Sequence, residues 1–269
     1  MKGKRLLAIL GIVILLGAMA APMITAFGTG ENAPGYFRAA LGVAILVPVL
    51  AYGMMLIIRV FGKKEEPAGK IKNIVFDVGQ VLVDFDWKGY LASFGFPKEE
   101  EEILAKEIFM SPLWNERDRS DKEEEEYVEG FVSHAPQYEA DIRRVMATSD
   151  KTIRQRDYAK TWTKYLKSKG YHLFILSNYA TRPLEQTKPD MAFLENMEGE
   201  IWSCDVKKIK PEPEIYEILL SRYHLKPEET VFMDDNPRNC EGARKAGMHA
   251  FVFESFKQAV SELEKLGVS

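Results

Sequence analysis

The chain has 269 residues, 36 Lys and Arg against 40 Asp and Glu, a formal net charge of −4 and 46% hydrophobic residues. That length holds one large domain or two modest ones, and the mixed charge gives no sign of a nucleic-acid partner. Cys204 and Cys240 have no CxxC or Cys/His partner, which excludes a zinc or disulfide framework and suits a reducing compartment.

The apolar residues crowd into the first quarter. Residues 6–27 are uncharged and almost wholly apolar, and about 22 residues of helix reach ~33 Å, enough to cross a bilayer core of about 30 Å. A second apolar run occupies about 39–61, its uncharged part Ala39–Ile58 lying between Arg38 and Arg59. Pro48 kinks it, which a membrane helix tolerates. The turn GTGENAPGY joins the two runs. Lys2, Lys4 and Arg5 precede the first span and Arg59, Lys63 and Lys64 follow the second, so both termini and everything beyond are expected in the cytoplasm. This predicts a transmembrane hairpin over 1–62 and a polar linker over 63–70, with the cell membrane as location and the lipid bilayer as partner through 6–61. No ionisable residue lies inside either uncharged run, so the hairpin reads as an anchor rather than a transport path. Ala18-Met19-Ala20 leaves cleavage as a signal peptide as the alternative.

From residue 71 the pattern changes to that of an α/β domain. Ile74, Val75 and Phe76 form a short apolar strand that delivers Asp77, with Gly79 close behind as a tight turn and Asp84 and Asp86 beyond. Helical spacing dominates about 87–169, as in Lys98–Met110, Glu123–Val132 and Tyr138–Met146, with no strand predicted there. Strands then alternate with helices. His172–Leu176 ends in Ser177-Asn178, Glu200–Cys204 ends near Asp205, Thr230–Met233 ends in Asp234-Asp235, and His249–Phe253 closes the set. Helices are predicted over Pro213–His224, Asn236–Ala246 with Gly247 as its C-terminal stop, and Ser255–Leu266. The expected fold is a parallel α/β sheet built from 71–86 and 170–269, with 87–169 inserted as a helical cap.

In a parallel sheet the strand C-termini share one edge, so Asp77, Ser177, Asn178, Asp234 and Asp235 converge, with Lys210 on a neighbouring loop. Unit charges ~5 Å apart at an effective dielectric of about 20 repel by roughly 3 kcal/mol. Three carboxylates and one lysine therefore call for a divalent cation, and oxygen ligands favour Mg2+. The Ser177 hydroxyl, Asn178, Lys210 and the backbone after Asp77 at Gly79 and Gln80 are placed to cradle a dianionic group. The matching chemistry is phosphoryl transfer through an aspartyl-phosphate.

Four motifs stand in order: FDVGQVL at 76–82, LSNY at 176–179, KIKPEPEIY at 208–216 and VFMDDNPRNCEGARKAGM at 231–248. Together they resemble the haloacid dehalogenase superfamily, in its branch with a helical cap after the first strand. The resemblance implies a Rossmann-like core, Asp77 as nucleophile and metal ligand, Gly79 giving its carbonyl to the metal, Asp234 and Asp235 completing the metal site, and Ser177 and Lys210 holding phosphate. The first motif, FDxGxVxVDxD, is similar to a glucose-1-phosphate phosphatase group of that superfamily. Most phosphatases of the superfamily carry a second aspartate two residues after the nucleophile, where this chain has Gly79. Three answers stay open. The substrate has a good leaving group, an acid comes from Glu116 or Asp118 of the cap or from Asp84 or Asp86, or the site is slow. The expected activity is a membrane-anchored, Mg2+-dependent phosphatase of a small phosphorylated metabolite, with sugar phosphates among the candidates. The alternatives are a phospho-ligand-binding protein of the same fold and a haloacid dehalogenase.

Overall fold

In the computed structural model, which describes residues 71–269, the first regular element is the strand Asn73–Phe76 (β1), buried along its whole length. The hairpin and linker expected over 1–70 lie outside the described residues. Among the described residues no helix is long and apolar enough to cross a membrane.

A short turn leads from β1 to the strand Val83–Phe85 (β2), and the helical insertion follows. It contains Trp87–Ala92 (α1), Lys98–Leu104 (α2), Pro112–Arg117 (α3), Glu124–His134 (α4) and Glu139–Ala147 (α5). Local chemistry explains several of its ends. Glu99, Glu100 and Glu101 crowd the first turn of α2, where carboxylates face the positive end of the helix dipole. Glu123 and Glu126 close α4 with a reciprocal capping box. A π-helical turn, Ala105–Phe109, continues α2 and brings Phe109 against Trp87 and Trp114. Tyr90, Leu104, Ile108, Phe131, Ile142 and Val145 form the cap's own apolar core.

The strand Ile153–Gln155 (β3) then pairs antiparallel with β2. Sequence patterning predicts no strand in this segment. β3 has only three residues, none fully buried, so it carries no alternation to detect; cross-strand ion pairs from Asp84 to Arg154 and Arg156 support it instead.

The remaining elements are Ala159–Ser168 (α6), His172–Ser177 (β4), Thr181–Thr187 (α7), Gly199–Trp202 (β5), Ser203–Val206 (α8) and Pro213–Arg222 (α9). Thr230–Asp234 (β6), Pro237–Lys245 (α10), His249–Val252 (β7) and Phe256–Lys265 (α11) complete them. The main sheet is parallel with strand order β5-β4-β1-β6-β7. The chain winds from β1 towards β5, then returns to the other side of β1 at β6. That reversal is where open α/β sheets leave a crevice outside the strand ends. Helix α10 ends as expected: Gly247 takes φ +89°, and the N–H groups of Gly247 and Met248 donate to the carbonyls of Arg244 and Ala243.

The pleat sends neighbouring β1 side chains to opposite faces. Ile74 and Phe76 join Trp162, Leu166 and Trp202 on one side, while Val75 joins Tyr216, Leu219 and Phe232 on the other. Helix α6, placed in the cap by the sequence reading, supplies Ala159, Trp162 and Leu166 to the sheet's core. The apolar cap thus ends with α5, and the chain returns to the sheet through β3. Cap and sheet belong to one compact unit.

Phe76 ties the strand that leads into Asp77 to its flanking helix, edge-on to Trp162 at 5.3 Å between ring centroids. Phe76→Ala should cost about 3–5 kcal/mol, the range for a buried aromatic whose site cannot collapse. Urea unfolding followed by near-ultraviolet circular dichroism checks it. A loss below about 1 kcal/mol would show that β1 is not anchored through this ring.

Candidate active site

Asp77 follows the last paired residue of β1, and its backbone N–H donates to Met233 O at 2.9 Å, carrying the ladder one step beyond the strand. The β1–β6 register sets Asp234 level with Asp77, and Ser177, one residue further along β4 than that level, reaches Asp77 from the other side. Three donors meet one of its oxygens. The Val78 N–H (2.7 Å), the Ser177 hydroxyl (2.8 Å) and the Lys210 ammonium (2.8 Å) all reach Oδ1. Among the described residues no donor reaches Oδ2.

Lys210 lies between two acids, 2.6 Å from Asp234 Oδ2 as well as 2.8 Å from Asp77. Its backbone is pinned by Asn178, which accepts from Lys210 N at 2.7 Å and donates to Lys210 O at 3.0 Å. Both ends of the Asn178 amide are thereby used to place Lys210. Gln80 is engaged in a similar way: Nε2 donates to Phe85 O and Oε1 accepts from Arg156. The left-handed backbone of this turn sits at Gln80, with φ +56°, and not at Gly79. What Gly79 provides is room, since a Cβ there would meet nothing within 4 Å.

Asp234 is fully buried and fully committed. Its Oδ1 accepts from Asn236 N and Asn239 Nδ2, and its Oδ2 accepts from Lys210 and Asn239 Nδ2. Those four contacts fill the acceptor sites of a carboxylate. Asn239 is the brace that holds this acid. Its own Oδ1 is buried without a partner among the described residues.

Oxygens of Asp77, Asp234 and Asp235 lie within 4.8 Å of one another. Three carboxylates facing one lysine carry an excess of two negative charges. Burial raises the Asp77 carboxyl, Lys210 pulls it back, and Asp234 and Asp235 raise it again, leaving it at about 7. Burial and Asp234 also raise Asp235. Burial is the main cause, and the single Lys210 ammonium does not balance three carboxylates. The all-oxygen donor set fits a hard divalent cation such as Mg2+. The carboxylate oxygens without a donor among the described residues are Asp77 Oδ2 and those of the exposed Asp235, whereas Asp234 is saturated.

A cavity of about 200 Å³ lies over these groups, lined from the sheet by Asp77, Gly79, Asn178 and Asp235 and from the cap by Trp114 and Asp118. Trp114 lines the cavity while its ring also packs on Phe109 and Phe131. Four acids were weighed as a replacement for the missing second aspartate. Asp84 pairs with Arg154 and Arg156, Asp86 accepts from Gly89 N at the start of α1, and Glu116 is exposed off the cavity wall. Asp118 alone of the four lines the cavity.

A family model described as a haloacid dehalogenase-like hydrolase matches residues 71–247. Bifunctional epoxide hydrolase 2 of Mus musculus is 46% identical over 66 residues, 24% of this chain and 12% of that protein. The match therefore spans about an eighth of that relative's length. D-ribitol-5-phosphate phosphatase of Bacteroides thetaiotaomicron is 26% identical over 215 residues, 69% of this chain and 93% of that one. In fold, the chain is similar to a HAD family enzyme of Bacteroides thetaiotaomicron crystallised with magnesium and inorganic phosphate, at TM-score 0.56 and 22% identity over 70% of this chain and 98% of that one.

Removing Lys210 isolates the electrostatic frame. Lys210→Met leaves Asp77 and Asp234 facing each other without a counter-charge and should cost on the order of 3–5 kcal/mol near pH 8. The Asp77 carboxyl is already above its unfolded value and rises further without Lys210. The folded state then binds the extra proton, so stability recovers as pH falls towards 5 and is lost as pH rises through the folded value. Chemical denaturation at pH 5 and pH 8 checks this. A penalty that is equal at both, or larger at pH 5, contradicts the arrangement.

Proposed function

The chain belongs to the haloacid dehalogenase-like hydrolases, and from that premise we propose that it is a Mg2+-dependent phosphatase acting on a small phosphomonoester through Asp77. The observation that carries this reading is the asymmetry of Asp77. Oδ1 is held by three donors while Oδ2 is left without a protein partner. A carboxylate so fixed cannot rotate its free oxygen away, which supplies the orientation an attacking group needs.

Oδ2 attacks phosphorus, the bond to the ester oxygen breaks, and Asp77 carries the phosphoryl group until water releases it. Ser177 and Lys210 are placed to meet the phosphoryl oxygens, and Asn178 and Asp234 keep Lys210 in position. The Gly79 carbonyl, Asp235 and the Asp77 carboxylate oxygen that does not attack would hold Mg2+, with Asp234 bracing the set. When bound, the ion supplies the positive charge that lets a phosphate dianion approach three carboxylates. The cavity of about 200 Å³ suits a small substrate. A relative named as a D-ribitol-5-phosphate phosphatase supports a phosphomonoester of a small polyol or sugar. The paired acids Asp234 and Asp235 favour phosphate over halide chemistry, because halide displacement at carbon needs no cation.

The same reading takes residues 6–27 and 39–61 as a bilayer hairpin with the catalytic part facing the cytoplasm. It rests on two uncharged runs with basic flanks. Alkaline carbonate should leave the full chain in the membrane pellet, and release to the supernatant would refute the two spans.

The chemistry is tested with p-nitrophenyl phosphate. Hydrolysis should be abolished by EDTA and restored by Mg2+, and Asp77→Asn should lower kcat by about 10³-fold or more. Turnover unchanged in Asp77→Asn would overturn the assignment.

A further inference from the structure

The proposed reaction releases an alkoxide unless something protonates it, and the position two residues after Asp77 is Gly79, which has no side chain to do so. A proton donor must therefore come from elsewhere in the cavity. Three carboxyls line it: Asp77, Asp118 and Asp235. Asp77 is the attacking group. Asp235 belongs to the cation cluster with Asp77 and Asp234, and an acid that holds a cation is deprotonated when it does so. Asp118 stands outside that cluster, and among the described residues its carboxyl has no hydrogen bond or ion pair.

The loop that carries Asp118 is fastened to the sheet side of the cavity. The Ser203 hydroxyl donates to Asp118 O at 2.5 Å. Thr181 N donates to Ser120 Oγ at 3.0 Å, and Lys207 Nζ donates to Ser120 O. Arg119 forms a two-point pair with Glu212, at 2.9 and 2.7 Å, on the loop that follows Lys210. These contacts hold the backbone of 118–120 and leave the Asp118 side chain free. The open space beside Gly79 lies within the same cavity.

Resting on the phosphatase reading, we propose that Asp118 of the cap is the general acid that protonates the leaving oxygen, taking over the task for which Gly79 has no side chain. As Asp77 Oδ2 bonds to phosphorus, the P–O ester bond breaks. Its electron pair stays on the ester oxygen, and that oxygen takes the Asp118 proton, so the products are an alcohol, the phosphorylated Asp77 and the Asp118 carboxylate. In the second half the water oxygen bonds to phosphorus, a water proton returns to Asp118, and the bond from phosphorus to Asp77 breaks with its electron pair on the aspartate, so phosphate leaves and the Asp77 carboxylate and the Asp118 acid are restored. Burial raises the Asp118 carboxyl to about 7, against the pull of Arg117 and Lys210. A share of the acid is therefore protonated at neutral pH. Tyr179, whose hydroxyl is itself raised by burial, is the other titratable group that senses Asp118.

The test compares two aryl esters on the full-length protein, reading kcat/KM because it reports the steps up to departure of the leaving group. For phenyl phosphate, whose phenolate is a poor leaving group, Asp118→Asn should lower kcat/KM on the order of 10²-fold. For p-nitrophenyl phosphate, whose leaving group needs no proton, the fall should stay within about threefold, which also shows that the variant is folded. In the unaltered protein kcat/KM for phenyl phosphate should decline as pH rises above about 7. The p-nitrophenyl ester should lack that limb, and this readout needs no variant. Equal losses on the two esters together with the same pH profile for both, or no loss on phenyl phosphate, would overturn the assignment of Asp118. If the unaltered protein hydrolyses neither ester, the phosphatase reading falls and takes this one with it. If it hydrolyses both and the discrimination survives in Asp118→Asn, only the role of Asp118 falls.

Discussion

The candidate site depends on one ammonium group lodged between two buried carboxylates. Lys210 is almost fully buried, yet its charge is retained: burial pulls its pKa down, and Asp234 and Asp77 more than offset that pull. Losing either partner would leave a charge in a region that water does not reach, a state that costs several kcal/mol. The surrounding architecture serves this geometry. Parallel pairing of β1 with β6 sets Asp234 level with Asp77, and the end of β4 brings Ser177 to it from the other side. Asn178 pins the Lys210 backbone, and Asn239 braces Asp234 from the start of α10.

Much of this was legible in the chain because it is written in short apolar runs that end in polar residues. FVF-like segments such as Val75-Phe76 and Val231-Phe232 are buried on both faces of a parallel sheet, so they appear as uninterrupted hydrophobic strands. The acids that follow them then share an edge by topology alone. What stayed hidden depends on contacts that leave no periodic trace. β3 is a three-residue ribbon on the outside of the sheet. Helix α6 has the same amphipathic spacing as the cap helices, so only its packing partners, Phe76 among them, tell which core it belongs to. Gly79 reads as a turn glycine, yet the left-handed residue is Gln80, whose strain is carried by its bonds to Phe85 and Arg156.

The choice among candidate acids shows the same limit more sharply. Glu116 and Asp118 are two residues apart on the same stretch, and composition cannot separate them. They differ because α3 ends at Arg117. Past that end the chain turns towards the sheet, and the Ser203 hydroxyl captures the Asp118 carbonyl. Glu116, still on the helix, points outwards and is exposed.

Arg117 completes the electrostatic account. It lines the cavity and is 2% exposed, so it looks at first like a second cation for a phosphate. Its guanidinium is already matched by Glu124, with contacts of 2.6 to 3.0 Å, and lies 5.0 Å from the Trp114 ring. Glu124 offsets part of that charge, leaving a residual pull on Asp118, and the pair holds Trp114 and the end of α3 in place. On the sheet side the cation beside Asp77 is Lys210, itself shared with two acids. For the phosphate dianion proposed above, three carboxylates call for more positive charge than that, and the open oxygens of Asp235 beside Asp77 are where a divalent cation can supply it. The buried pairing of Arg117 is thus a reason within the cap for the metal dependence of the site on the sheet.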